Sequence, residues 1–250
     1  MCSSIHDIPL VLRSSRKLTD DIFELRLEGD LSAVSAPGQF VEIALPNRFL
    51  RRPISVADWS PDELLLLVRA VGQGTAELVG AVPGTVFSTL LPLGNGFDIA
   101  TRGFCPVLVG GGIGIAPLVG LARRMLEAGT SPKLALGFRH AYDAFYLNEF
   151  RAMGLAPHVA TEDGSLGRKG FVTDILRAEL PEVDYVFACG PMPMLKAVHA
   201  LPGLSGGQYS FEARMGCGFG ACVGCTIQTL SGPRRVCADG PVFRQEEIPW

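Results

Sequence analysis

Residues 106–118 read P-V-L-V-G-G-G-I-G-I-A-P-L, and the chain changes character on either side of them. Val107–Val109 is a short apolar run of the kind a buried strand uses, and a helix is predicted from about Leu118 to Glu127. The glycines between them let the backbone turn tightly and let a dinucleotide phosphate approach a helix N-terminus. The match to G-x-G-x-x-G is imperfect, because Pro117 stands where the third glycine would be. Proline suits a first helical turn. Gly111, Gly112 and Gly114 are therefore candidate nucleotide contacts, with an ordinary ligand-free turn as the plainer alternative.

After this turn, strand-like and helix-like runs alternate: Leu134–Phe138 extended, Leu147–Met153 helical, His158–Thr161 extended, Val172–Glu179 helical, Tyr185–Ala188 extended and Met194–His199 helical. Alternation of this kind predicts a parallel sheet with helices on both faces. Tyr209–Phe211 is the candidate closing strand. Ala188–Met194, A-C-G-P-M-P-M, falls at the carboxyl end of a predicted parallel strand, where open α/β sheets bind ligands. Cys189 and Gly190 are thus candidate nicotinamide contacts, and the alternative is that Cys189 is a small buried hydrophobe, as Cys105 is read to be. Arg139 and His140 follow the second strand, where a 2′-phosphate would be met.

Before residue 106 the pattern is different. Val11, Phe23–Leu27, Phe40–Leu45, Ile54–Val56 and Leu64–Val68 are short apolar or alternating runs, separated by Pro37-Gly38, Pro46-Asn47, Pro61-Asp62 and Pro83-Gly84. This spacing predicts a small antiparallel β-barrel. A helical turn is expected at Thr75–Val79. Within the barrel, Arg51–Ser55 reads R-R-P-I-S, and arginine is suited to a bidentate grip on pyrophosphate. Ser55 adds a hydroxyl. Val71–Thr75, V-G-Q-G-T, puts glycines before a short helix, which can take a second part of a phosphate or be an ordinary turn.

The last part of the chain, Arg214–Phe243, carries Cys217, Cys222, Cys225 and Cys237 as C-x4-C-x2-C…C. That is the plant-type spacing for a [2Fe–2S] cluster. Gly216, Gly218, Gly220 and Gly224 supply a backbone able to take positive φ and to wrap closely around an inorganic core. A structural zinc would more often use two C-x2-4-C pairs, and here Cys222 and Cys225 form one. Disulfides are the third option, but the N-terminus M-C-S-S-I-H-D-I-P has no export signal, and Cys2 lacks the apolar segment of a lipidation site. The 250 residues are 48% hydrophobic and 19% charged with net charge -3, a composition able to bury a core. No basic stripe suggests nucleic acid, and no apolar run approaches the roughly 18 to 20 residues of a membrane span. A cytoplasmic location is expected.

Taken in order, R-P-I-S, G-G-G-I-G-I-A-P-L, C-G-P and the cysteine loop resemble the ferredoxin–NADP⁺ reductase superfamily. More narrowly, Pro92–Phe97 (P-L-G-N-G-F), Glu162–Asp174 (E-D-G-S-L-G-R-K-G-F-V-T-D) and Cys237–Phe243 (C-A-D-G-P-V-F) are similar to the electron-transfer subunits of B-type, NAD-linked dihydroorotate dehydrogenases. The resemblance implies an FAD-binding β-barrel over 1–100, a Rossmann-like NAD-binding α/β domain over 101–208 and a small [2Fe–2S] domain over 209–250. It implies FAD held by Arg52, Pro53, Ile54 and Ser55, by Leu67, Val68 and Arg69, and by Gly74 and Thr75; Ser55 is also the candidate residue for tuning the flavin. It implies NAD(H) across Gly111, Gly112, Gly114, Cys189 and Gly190, and the cluster on Cys217, Cys222, Cys225 and Cys237. It implies an FMN-containing catalytic partner in a two-plus-two heterotetramer serving pyrimidine biosynthesis. The electron count agrees: NAD⁺ takes two electrons as hydride, a [2Fe–2S] cluster passes one at a time, and a flavin converts between them. No side chain is expected to act as general acid or base. The rivals are a reductase-like subunit of a sulfide dehydrogenase, transhydrogenase or hydrogenase, and a non-enzymatic iron–sulfur redox sensor.

Overall fold

The computed structural model describes residues 4–46 and 48–250; Cys2 and Asn47 lie outside them. Six strands close an antiparallel barrel: β1 His6–Lys17, β2 Ile22–Glu28, β3 Phe40–Ile43, β4 Arg52–Trp59, β5 Glu63–Arg69 and β6 Val86–Leu93. The barrel runs β1-β2-β5-β4-β3-β6 and back to β1. Inward positions alternate along each strand, so Leu10, Leu12, Leu25, Leu27, Leu64 and Leu66 fill the interior with no exposure. The sixth strand is not marked by the apolar pattern alone, because exposed Val86 and Ser88 break the run. Helix α1, Gln73–Val79, begins two residues before the helical turn expected at Thr75.

The second unit is a seven-stranded sheet ordered β10 (Arg168–Lys169), β9 (Pro157–Thr161), β8 (Lys133–Phe138), β7 (Pro106–Gly111), β11 (Tyr185–Cys189), β12 (Gly206–Ser210) and β15 (Val242–Arg244). Its strands β7 to β12 are parallel. Helices α2 Ala116–Glu127, α3 Leu147–Ala152, α4 Val172–Ala178 and α5 Met192–His199 connect them. Alternate residues of one strand go to opposite faces: Leu108 joins the core under α2, whereas Val107 and Val109 join the core under α4 and α5. The parallel sheet with helices on both faces is therefore as expected. Strand β12 runs across the division expected at 208/209.

The cysteine segment is not a free appendage. A hairpin of β13 Thr226–Thr229 and β14 Gly232–Arg235 leads into the single turn α6, Val236–Asp239, and then β15, Val242–Arg244, pairs antiparallel with β12. Asn95 fastens this end to the barrel: its N–H donates to Gly240 O at 2.6 Å, its Nδ2 to Val242 O at 2.8 Å, and its Oδ1 accepts from Val242 N at 3.0 Å. The two similar stretches P-L-G-N-G-F and C-A-D-G-P-V-F thus meet. Among the described residues no helix is long and apolar enough to cross a membrane.

Barrel and sheet are also joined through a buried carboxylate. Glu24 of β2 is 4% exposed, accepts from Tyr146 Oη at 2.6 Å and pairs with Arg16 at 2.8 Å and Arg26 at 3.2 Å. Burial pushes the Glu24 carboxyl up, but the Arg16 and Tyr146 hydrogen bonds outweigh it, and the net direction is down. A depressed carboxyl stabilises the fold above its unfolded pKa, and that contribution is lost as pH falls through the folded value. Tyr146→Phe is expected to lower unfolding free energy by about 1–2 kcal/mol at neutral pH, since it removes a donor to a buried charge that keeps its arginines. Because the folded carboxyl pKa rises in the variant, the acid loss should begin at higher pH and the deficit should shrink once Glu24 is protonated in both proteins. Urea unfolding of both proteins at a series of pH values measures it, and equal midpoints at pH 7 would contradict it.

Candidate functional site

Two cavities lie side by side at the junction of barrel and sheet, and Arg69 and Ile113 line both. The smaller, about 250 Å³, is built from the barrel, the glycine turn and the end of the sheet with the segment that follows it. The barrel and α1 contribute Pro53, Ile54, Ser55, Leu67, Val68, Arg69 and Thr75; the glycine turn contributes Ile113, Ala116 and Pro117; the end of β12 and the chain after it contribute Ser210–Ala213 and Met215. The sequence-predicted barrel residues are thus brought together, with a distinction between the two arginines. Arg51 is engaged by the barrel, pairing with Asp7 at 2.7 Å and donating to Ser88 O at 3.0 Å. Arg52 turns toward α1, where its guanidinium lies against Gly74, Cζ standing 2.7 Å from where a Cβ would be. It donates to the carbonyls of Leu50 and Arg51 at 2.9 and 3.2 Å. Thr75 Oγ1 accepts from the N–H groups of Val71 and Gly72 at 3.0 and 3.2 Å, which shapes the start of α1.

The larger cavity, about 540 Å³, opens over the carboxyl ends of the parallel strands and is lined by Gly111, Gly112, Arg139, Glu162, Phe171 and Pro191 among others. Of the residues predicted to meet a nucleotide, Gly111 and Gly112 line it; Gly114, Cys189 and Gly190 pack beneath. A Cβ on Gly114 would stand 2.6 Å from Cys189 C and from Gly190 Cα, and one on Gly190 would stand 3.0 Å from Gly111 N. The strand-to-helix turn and the turn after β11 therefore touch backbone to backbone. Cys189 is 2% exposed, and burial, reinforced by the charge of Glu212, pushes its thiol well above the ordinary range. The glycine turn is a 3₁₀ turn, Gly112–Ile115, preceding α2, so the helix starts at Ala116 rather than at Leu118.

Sequence reasoning missed Glu212. It follows β12 at the mouth of the smaller cavity, open to the cavity yet hemmed in by protein, and that desolvation raises its carboxyl. Its place just past a parallel strand was the available signal.

The cysteine loop lies on the barrel. Gly218 and Gly220 take φ of 75° and 87°, as expected, whereas Gly216 and Gly224 do not adopt positive φ. Gly218 sits against Glu42 of β3, a carboxylate 1% exposed with Oε1 lacking a hydrogen-bond partner; burial pushes this carboxyl up against the opposing pull of Arg51. Arg235 Nη1 holds Gly220 O at 2.5 Å. The thiols stand as two pairs: Cys225 and Cys237 with sulfurs 3.2 Å apart, and Cys222 N–H donating to Cys217 Sγ at 3.3 Å. Among the described residues no three acidic, histidine or cysteine side chains are gathered as a metal-ligating group. Like thiolates converge on one point only around a cation. The donor set nonetheless fits a [2Fe–2S] core in kind. All four are free thiols, and N–H groups are directed at two of the sulfurs. Burial pushes the Cys217 thiol up, but N–H donors from Cys222, Phe219 and Ala221 outweigh it and bring it down to about 7. The Cys237 thiol, buried beside Cys225, is pushed up to about 12.

Comparison with known proteins agrees with this geometry. The model of the oxidoreductase NAD-binding domain matches residues 108–200, and that of the iron-sulfur cluster binding domain of dihydroorotate dehydrogenase B matches residues 212–249. Phthalate dioxygenase reductase shares the fold at TM-score 0.60 and 22% identity over 77% of this chain and 63% of that one. An NADH-dependent reduced ferredoxin-NADP oxidoreductase superposes at TM-score 0.86 with 31% identity, covering 100% of this chain and 92% of that one. Barrel, nucleotide sheet and cysteine segment together define an oxidoreductase of the ferredoxin–NADP⁺ reductase fold. A dihydroorotate dehydrogenase B (NAD(+)) electron transfer subunit from Bacillus velezensis is 42% identical over 250 residues, covering 96% of this chain and 97% of the relative. One from Listeria monocytogenes is 39% identical over 242 residues, covering 93% and 94%. The chain belongs to the family of dihydroorotate dehydrogenase B electron transfer subunits.

The glycine junction yields a contrast. Gly114→Ala would force backbone apart and is expected to cost about 1–3 kcal/mol by overpacking. Gly112→Ala meets nothing within 4 Å but holds φ of 54°. That substitution should cost about 1–2 kcal/mol, from left-handed strain alone. Denaturant midpoints for the two variants, together with hydrogen exchange at Cys189 and Gly190, distinguish them: the exchange should rise in Gly114→Ala and stay unchanged in Gly112→Ala.

Proposed function

We propose that this chain passes electrons from an FMN-containing dihydroorotate dehydrogenase catalytic subunit to NAD⁺, in a two-plus-two cytoplasmic assembly serving pyrimidine biosynthesis. The observation that carries the reading is the convergence of Pro53–Ser55, Leu67–Arg69, the glycine turn and the lead-in to the cysteine loop on one cavity that adjoins a second over the nucleotide sheet. The barrel is the FAD unit, the parallel sheet through β12 the NAD unit and the cysteine segment that follows Ser210 the cluster unit, so the last division falls after β12 rather than at 208/209. FAD, when bound, exchanges electrons singly with a [2Fe–2S] cluster and in pairs with NAD⁺.

The chain's own residues set the positions. Arg52 meets the flavin pyrophosphate as a cation, beside the N–H groups of Gly74 and Thr75 at the start of α1. Pro53, Ile54, Ser55, Leu67, Val68 and Arg69 wall the flavin cavity and exclude water, and the Ser55 hydroxyl tunes the flavin by hydrogen bonding. Glu212 keeps its carboxyl proton to higher pH than an exposed glutamate, which limits negative charge at the same wall. Gly111 and Gly112 let the nicotinamide nucleotide approach the backbone, while Gly114, Cys189 and Gly190 hold that backbone in place. Cys217, Cys222, Cys225 and Cys237 ligate the cluster.

The rival readings differ in partner. The likeness to an NADH-dependent reduced ferredoxin-NADP oxidoreductase favours a reductase-like subunit of another complex, at 31% identity. The near full-length identity of 42% to dihydroorotate dehydrogenase B subunits favours dihydroorotate as the electron source. Co-purification from the native host separates them: an FMN-bearing enzyme supports the dihydroorotate relay, a larger iron–sulfur subunit the rival.

Cys222→Ser, produced together with the catalytic subunit, should retain flavin absorbance and NADH-driven dye reduction, lose bound iron, and lower dihydroorotate-dependent NAD⁺ reduction by at least about 100-fold, the upper end of what removing a mere supporting partner of a metal ligand costs. Undiminished dihydroorotate turnover would overturn the relay order, and an iron- and flavin-free wild type would overturn the reading as a whole.

A further inference from the structure

A guanidinium in the cysteine segment is placed in a way that ligation alone does not account for. Arg235 ends β14, two residues before the fourth thiol, and reaches back to the loop between the first two. There its Nη1 donates to Gly220 O at 2.5 Å. Gly220 is wedged in place: it holds φ of 87°, and a Cβ on it would stand 2.8 Å from Ala238 Cβ and 3.2 Å from Arg235 Nη1. Ala238 follows Cys237 in the turn α6. The loop of Cys217 and Cys222 is therefore gripped by the residues on either side of Cys237. The Gly220 N–H bears on the Cys237 sulfur and pulls that thiol down against its burial.

Arg235 is itself fixed. Asp239 Oδ2 accepts from its backbone N–H at 2.7 Å and from its Nε at 3.4 Å. A guanidinium presents its donors in a rigid fork, so one edge can meet a carboxylate while another meets a carbonyl; a lysine carries the charge as a single ammonium and lacks the fork. Of the two adjacent arginines, Arg234 leans toward Ser231, with Nη2 3.5 Å from its Oγ, and Arg235 turns onto the loop. The charge nearest the other end of the loop is negative, Glu42 against Gly218. Charge and hydrogen bonds around the sulfurs are what set the reduction potential of an iron–sulfur centre. A cation beside four thiolates favours the state that has taken up an electron.

Resting on the reading of Cys217, Cys222, Cys225 and Cys237 as cluster ligands, we infer that Arg235 is a positioning residue of the redox centre: by holding the Gly220 carbonyl it sets the loop of Cys217 and Cys222 against Cys237, and its charge favours the reduced centre. Groups that orient the ligands of a metal from behind act on affinity and potential without touching the metal.

The test compares Arg235→Met, Arg235→Lys and Arg234→Met with wild type, each flavin-loaded, in complex with the catalytic subunit and prepared without air. Iron per chain, the rate at which a chelator removes it, and the midpoint potential followed by electron paramagnetic resonance are measured; flavin per chain reports that the fold is intact. Arg235→Met should keep its flavin, release iron about 10- to 100-fold faster and show a more negative midpoint. Arg235→Lys should also release iron faster, with a midpoint nearer to wild type because the charge remains. Arg234→Met should release iron at the wild-type rate. Wild-type release and midpoint in Arg235→Met overturn the proposal. So does faster release in Arg235→Met and Arg235→Lys alike with the midpoint unmoved, the mark of a merely structural role. If Arg235→Met arrives with flavin but without iron, Arg235→Lys decides, and a wild-type release rate there overturns the proposal while the cluster assignment stands. A wild-type complex without iron removes the cluster assignment and the proposal together.

Discussion

The hydrogen bonds of Asn95 are the constraint on which the site depends. A barrel, a parallel sheet and a cysteine loop have no intrinsic reason to share a cleft. Asn95 stands just past the last barrel strand, and its amide and backbone bind Gly240 and Val242 like one more rung of sheet. That ties the far end of the cysteine segment to the barrel, while β15 ties the same few residues to the sheet. Pro241 then packs within 2.5 Å of where a Cβ on Gly94 would stand, and it lines the smaller cavity. One residue, through its backbone N–H and its side-chain amide, therefore registers three units against one another, and only an amide side chain both donates to the Val242 carbonyl and accepts from its N–H.

The glycines do a different job from the one their motif suggests. G-G-G-I-G is usually weighed as a phosphate cradle, and Gly111 and Gly112 do face the open cavity. Gly114 instead lets the strand-to-helix turn rest on the turn after β11 without any intervening side chain. The third glycine of the common dinucleotide fingerprint provides close helix–strand packing. In this chain Gly114 provides it two residues before α2, and Pro117 is free to serve as an early helical residue.

Much of this was legible in the residues. The change from period-two runs to alternating strands and helices at Pro106 is carried by local pattern, and the structure follows it within one or two residues at most element ends. The spacing of Cys217, Cys222, Cys225 and Cys237 is a local signal too. What was not legible was set by tertiary contact. Val86–Leu93 is a strand because β1 and β3 flank it, not because its own pattern demands it. Glu212 acquires its raised carboxyl only when the barrel, the glycine turn and Cys189 surround it. Arg51 and Arg52 are neighbours of one kind, and the positions of Asp7, forty-four residues upstream, and Ser88, thirty-seven downstream, decide which of them is engaged by the barrel.

Strand β15 has a consequence beyond architecture. It covers the outer edge of β12, so the backbone donors and acceptors of Gln208–Ser210 are paired with chain that follows the fourth cysteine. An oxidant that dismantled the thiol centre and let that tail come loose would bare a strand able to pair with another molecule. Damage to the redox centre would then surface as clumping of the protein, and the quality control of the cell would meet it as a solubility fault before it was felt as a lost current.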